Sequence, residues 1–243
     1  MVMNTKEYAL AAVLMLSASS NLAQEAHAAP PWAEGTHYFR IVPAQPTPVA
    51  EGKVEVTDAF SYGCPACNQF LPVMKKLESS LPPEAELTRV PASFNPAEQW
   101  PMFQRAYYAA KALNVDEQTH FAMFNAVWTT GELAVVDRQT RRLKRPPPSI
   151  EDVAKFFARN SDVTEEQFLA AAKSFEVAMD MKRADHWIKT CGIDRTPSIV
   201  VNGKYRLHVE SAGGTDELIE LVNWLVAQES SAATAAAASS GSR

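Results

Sequence analysis

A mixed α/β domain carrying a long helical insertion is the fold class this sequence predicts, on three observations. Strand-like runs rich in Val, Ile, Thr and aromatic residues fall in two groups far apart, at 53–60 and 85–91 and again at 196–207. Between them, from about Gln99, apolar residues recur at helical spacing for roughly ninety residues. A last amphipathic segment, roughly 215–228, carries Leu218, Leu221, Val222 and Leu225 on one face. At 243 residues and 47% hydrophobic content the chain can bury a sizeable core, as one domain or one domain with an insertion. Its formal net charge of −5 argues against a general nucleic-acid binder.

Residues 1–28 read as an export signal. Lys6 supplies a weak basic start, 9–16 form an apolar core too short to span a bilayer, and Ala26-His27-Ala28 has small residues at cleavage-type positions. Export implies an oxidising compartment. After Pro30 and Pro31, residues 37–42 read as a first strand and the Pro43, Pro46 and Pro48 stretch as a loop.

The next strand leads into Phe60-Ser61-Tyr62-Gly63-Cys64-Pro65-Ala66-Cys67, and Phe70, Leu71, Met74 and Leu77 then follow at helical spacing. A strand turning into a helix puts Cys64 at the helix N-terminus, where free N–H groups and the helix dipole favour a thiolate. Pro65 sits in the first turn, where a helix tolerates it. Cys67 lies one turn on, within disulfide reach of Cys64. A zinc site would need two more ligands, and Cys191 is followed by no histidine at finger-like spacing, so no metal is expected. A purely structural local disulfide does not account for the strand-to-helix setting; redox chemistry does. On the same strand Val54, Val56, Asp58, Phe60 and Tyr62 share a face by alternation. Asp58 is the single charge in that row. Buried, it would have a raised pKa and could accept a proton from the second cysteine; locally solvated, it would be an ordinary aspartate.

Within the helical stretch, Trp100, Phe103, Tyr107 and Ala110 belong to one helix and Phe121, Phe124 and Trp128 to the next, as core packing. Residues 138–145 hold five cations, Arg138, Arg141, Arg142, Lys144 and Arg145, and are read as a solvated loop before the break at Pro146-Pro147-Pro148. Ser149 with Asp152, and Thr164 with Gln167, look like capping signals for two more helices, the second running from 165 to about 190. Asn202-Gly203 marks a hairpin turn. Cys191 reads as a small buried hydrophobe in preference to a third redox thiol. Residues 230–243, Ala/Ser-rich without bulky anchors, read as a disordered tail.

The Phe-Ser-Tyr-Gly-Cys-Pro-Ala-Cys stretch, the helical insertion and the later Thr196-Pro197 with Val-Asn-Gly-Lys-Tyr together resemble the DsbA-type thiol:disulfide oxidoreductases, over about residues 35–228. The resemblance implies a thioredoxin fold in two parts, 29–97 and 186–229, interrupted by an all-helical domain at 98–185. It implies that Cys64 and Cys67 form the redox-active disulfide and that Pro197 is a cis-proline facing them. Thr196, Pro65 and Ala66 would meet an extended client segment. Asp58 matches the family's buried acidic position, usually glutamate. The chain departs from the best-known members in having Pro65-Ala66, not Pro-His, between the cysteines. The expected function is the introduction of disulfide bonds into exported proteins in the periplasm, with no cofactor, by a monomer reoxidised by a DsbB-type membrane quinone reductase. The alternatives are a disulfide reductase or isomerase, or a peptide-binding chaperone that would keep its activity in Cys64→Ser.

Overall fold

A strand buried on both faces belongs in the middle of a sheet, and Val54–Phe60 (β2) is buried at every position. It pairs in parallel with Ala85–Pro91 (β3) and antiparallel with Ser198–Val201 (β4). Beyond β4 lie Tyr205–Leu207 (β5) and Phe39–Arg40 (β1), giving a five-stranded sheet in the order β1-β5-β4-β2-β3. A parallel neighbour requires a crossover, and the helix Pro65–Ser80 (α1) supplies it between β2 and β3. The structure, a computed structural model, describes residues 32–240, with side chains to residue 233. The export signal read over residues 1–28 lies outside the described residues.

The hairpin β4–β5 turns at Asn202 (φ 53°) and Gly203 (φ 62°), with Lys204 N–H donating to Val201 O at 3.0 Å. Glycine is required here: a Cβ at Gly203 would stand 2.1 Å from Gln45 O, the carbonyl of the loop that crosses the turn. That loop is fastened by Gln45 N–H to Gly203 O at 2.9 Å. The first strand is shorter than the expected 37–42, because pairing beyond Arg40 reduces to Ile41 N–H donating to Lys204 O before Pro43 ends it.

Trp100–Ala112 (α2), Asp116–Trp128 (α3), Ile150–Asn160 (α4), Glu165–Ala172 (α5) and Phe175–Thr190 (α6) all lie between β3 and β4, as the helical periodicity predicts. Both expected capping boxes form, at Ser149 with Asp152 and at Thr164 with Gln167. The single helix expected over 165–190 is two. Ser174 takes the cap position of a new helix, its hydroxyl accepting from Val177 N–H at 3.2 Å, and α5 ends at Ala172 with Lys173 as its C-cap. α6 runs past 185 to Thr190, beyond the boundary drawn for the insertion.

After the short helix Val209–Ala212 (α7), the last helix, Thr215–Ser240 (α8), also overruns its expected end. This corrects the disordered tail over residues 230–240; residues 241–243 lie outside the described residues. Glu229, beyond the predicted end, is buried and accepts from Asn202 and Lys204, so the helix is still tied to the sheet there. The alanines that follow have the highest helix propensity and extend a helix already nucleated.

Two apolar clusters meet at the sheet. Val54, Val56 and Ile199 pack with Phe70 and Leu77 of α1 and Leu221 and Val222 of α8. At the far end of β2, Ala59, Phe60 and Tyr62 pack into the helical segment. There Phe60 meets Tyr107 of α2 at 5.5 Å and Tyr62 meets Phe124 of α3 at 5.0 Å, both edge-on. The C-terminal end of β2 is thus held by sheet, α2 and α3 together.

Candidate active site

The chain leaves β2 through a tight turn in which Cys64 N–H donates to Ser61 O at 3.0 Å and Gly63 N–H to Ser61 Oγ at 3.2 Å. Cys64 then takes the cap position of α1, in extended geometry, with Pro65 at the first helical position. A cap side chain accepts from an orphan N–H of the first turn; here the acceptor is sulfur, and Cys67 N–H donates to Cys64 Sγ at 3.2 Å. Both cysteines are free thiols and both are buried, Cys64 to 4% exposure, while Pro65 and Ala66 beside them are exposed.

The Cys64 pKa is pulled down to about 6, first by hydrogen bonding with the Cys67 thiol; burial opposes the shift, and Thr196 and the N–H groups of Cys67 and Ala66 support it. Cys67 moves the other way, well above an ordinary thiol, through burial first and then its position behind Cys64. One thiol is thus a stable anion and the other a protonated reserve.

The residues expected from the far end of the chain arrive here. Thr196–Pro197 is a cis peptide, and Cys64 Sγ lies 3.4 Å from Thr196 O, to which its S–H donates in the protonated form. The buried Thr196 hydroxyl has no hydrogen-bond partner among the described residues. Asp58 is 4% exposed, and burial pushes its pKa up to about 7, with Arg89 opposing and Cys64 adding to the rise. Its Oδ1 has no hydrogen-bond partner among the described residues. The Asp58 charge in turn contributes to the raised pKa of Cys67.

Several contributors were not legible in the sequence. Arg89, 6% exposed, faces Asp58 across the β2–β3 register and bonds Glu117 of α3 at 2.5 Å. Trp100 explains the glycine before Cys64: a Cβ on Gly63 would stand 2.6 Å from the indole Nε1. Trp128 Nε1 donates to Tyr62 O at 2.8 Å, and the Tyr62 hydroxyl meets His120 Nδ1 at 3.1 Å, so α3 grips the turn at two points. Burial holds His120 down to about 3, so it stays neutral in this contact. The aromatic residues were visible as core positions, but nothing in their spacing marked them as neighbours of Cys64. Cys191 stands apart at the end of α6, buried, its pKa pushed up to about 12 by that burial. Among the described residues no cluster of His, Cys, Asp and Glu could hold a metal ion.

Residues 50–221 match the thioredoxin family model. The chain is 34% identical over 186 residues to the thiol:disulfide interchange protein DsbA of Azotobacter vinelandii, covering 76% of this chain and 79% of that one. It is 29% identical over 225 residues to the protein of the same name from Pseudomonas aeruginosa, covering 92% and 97%. The crystal structure of Pseudomonas aeruginosa DsbA superposes with a TM-score of 0.69 at 28% identity, over 84% of this chain and 97% of that one. The sheet interrupted by α2–α6 is accordingly a thioredoxin fold with an inserted helical domain.

The opposed thiol pKa values give a direct expectation. In the reduced protein, iodoacetamide should label Cys64 first, at a rate that is flat above about pH 7 and falls tenfold per unit below the pKa of about 6. Alkylation rate against pH, with the site assigned by mass spectrometry, checks it. Labelling of Cys67 or Cys191 ahead of Cys64, or a midpoint near that of an ordinary thiol, would contradict the cap geometry.

Proposed function

This chain belongs to the thioredoxin family, as a DsbA-type thiol:disulfide oxidoreductase that forms disulfide bonds, and on that premise we propose that Cys64 and Cys67 are its redox-active pair. The observation that carries the assignment is the acceptance of the Cys67 N–H by Cys64 Sγ at the start of α1. A client thiolate attacks Cys64 Sγ of the oxidised pair; the S–S bond breaks and Cys67 leaves as a thiolate that takes up a proton. A second client thiolate attacks the client sulfur of this mixed disulfide, and Cys64 leaves as the thiolate. The client has lost two electrons and the pair has gained them. A leaving thiol with a pKa of about 6 departs readily and favours the reduced state, which makes the couple oxidising.

Thr196 and Pro197, half-buried beside this pair, would present the Thr196 backbone to an extended client segment over the exposed Pro65 and Ala66. Asp58, poised at about 7, takes the Cys67 proton whenever Cys67 attacks back on a mixed disulfide. DsbA proteins are periplasmic, and we assign this chain to the same compartment as an exported protein; Ala26-His27-Ala28 supports the reading. Its clients are reduced exported proteins, and the reduced pair returns to the disulfide through a DsbB-type membrane quinone reductase. Exchange needs one pair in one chain, so a monomer suffices.

Oxidative refolding of a reduced, disulfide-requiring client tests the reading. Cys64→Ser should abolish catalysis, whereas a peptide-binding chaperone would retain its effect on refolding. For Asp58, stopped-flow kinetics on a cysteinyl peptide separate first attack from release of the peptide by Cys67. Asp58→Asn should slow release about tenfold or more, within the range of a positioned general base, while changing first attack less. Wild-type release should quicken as pH rises through about 7, because the base form of Asp58 is the ionised one. Equal effects on both steps would make Asp58 structural only.

A further inference from the structure

The basic run at 138–145 has no part in the exchange described above. The structure makes it a built feature, since Val136 bridges Leu143 antiparallel and Lys144 N–H donates to Val135 O at 2.8 Å. The carboxylate just before it, Asp137, is taken up by the turn itself, accepting from Gln139 N–H at 3.1 Å, Thr140 N–H at 2.7 Å and the Thr140 hydroxyl at 2.9 Å. Among the described residues none of the five cations of the run is in an ion pair.

Arg138 and Arg141 line a groove of about 350 Å³ whose other walls include Gly63, Pro65, Trp128 and Glu98. Arg138 donates to Trp128 O, which fixes its guanidinium at the groove while leaving further N–H donors open. Gly63 and Pro65 are the two neighbours of Cys64 in the chain, so a polypeptide bonded to Cys64 Sγ would pass close to this groove. Two arginines against the single carboxylate of Glu98 make the lining net positive, in a chain whose net charge is −5.

We propose that this groove is a specificity subsite that takes an acidic side chain of the client polypeptide flanking its reacting cysteine. The inference rests on the reading of Cys64 as the attacked sulfur. Guanidinium is the cation best shaped for a carboxylate, and here two stand on one wall. Three extended residues reach roughly 10 Å, which sets the subsite within a few positions of the client cysteine. The site sorts clients by charge near the cysteine and takes no part in the electron transfer.

The test is a set of matched peptides with one cysteine and either Asp or Lys at each flanking position from −4 to +4. The readout is the Asp-to-Lys ratio of mixed-disulfide formation rates with the oxidised protein, so a general loss of activity cancels. The ratio should reach about threefold to fivefold on one flank at low salt, the range of an exposed ion pair, and shrink at high salt. It should fall to about one in Arg138→Gln/Arg141→Gln, survive in Arg138→Lys/Arg141→Lys, and rise in Glu98→Gln. A wild-type ratio near one at every position, with the peptides still oxidised, would overturn the subsite and leave the redox pair standing. Binding of anionic phospholipid vesicles together with that flat ratio would assign the basic run to a membrane surface instead. If no peptide were oxidised, the reading of Cys64 would fall and the subsite with it.

Discussion

One hydrogen bond organises the chemistry of this molecule: the N–H of Cys67 on the sulfur of Cys64, at the first turn of α1. The first four N–H groups of any helix lack partners within it, and a sulfur placed among them is stabilised as an anion. Together with the hydrogen bond from the Cys67 thiol, which contributes most, these N–H groups hold the Cys64 pKa at about 6 in spite of desolvation. Burial, and then the neighbouring Cys64 sulfur, penalise the Cys67 thiolate, so Cys67 remains protonated. With alanine at position 66, the Cys67 thiol and the backbone N–H groups of the helix start stabilise the thiolate without help from an intervening histidine.

The rest of the fold keeps that turn in place. β2 brings the chain to the edge of the insertion, and α3 then holds Tyr62 by its carbonyl through Trp128 and by its hydroxyl through His120. Trp100 of α2 occupies the space beside Gly63, so any larger residue there would displace the indole or the turn. Behind these, the β2–β3 register sets Arg89 opposite Asp58, and Glu117 of α3 engages Arg89. The buried carboxylate is thereby offset in charge, while its Oδ1 has no hydrogen-bond partner among the described residues. The helical insertion therefore supports the redox turn as directly as the sheet does.

Much of this was legible from local pattern. The cysteine pair, the proline at the helix start and the strand before it are neighbours in sequence, and their geometry follows from rules that act over one turn. Asp58 stood out because strand alternation is strict. Arg89 did not, although its strand was foreseen, because register is a property of two segments and neither alone encodes it. Trp100, His120 and Trp128 carry no chemical mark that separates a ring packing the core from a ring supporting an active turn. Two boundary errors have local causes. Continuous helical periodicity concealed the cap at Ser174, and low side-chain bulk in the last residues suggested disorder where alanine propensity extends α8. The basic run was read by composition as solvated, and only the fold showed that two of its arginines share a groove with Gly63 and Pro65.

The central claim is that stabilisation of the Cys64 thiolate makes the pair an oxidant, and the reduction potential of the Cys64/Cys67 couple tests it most directly. The protein would be equilibrated in glutathione redox buffers and the fraction reduced determined by thiol trapping. The account predicts a potential in the glutaredoxin range or above, at about −230 mV or higher. A value at or below that of thioredoxin, about −270 mV, would contradict it and make the pair a reductant.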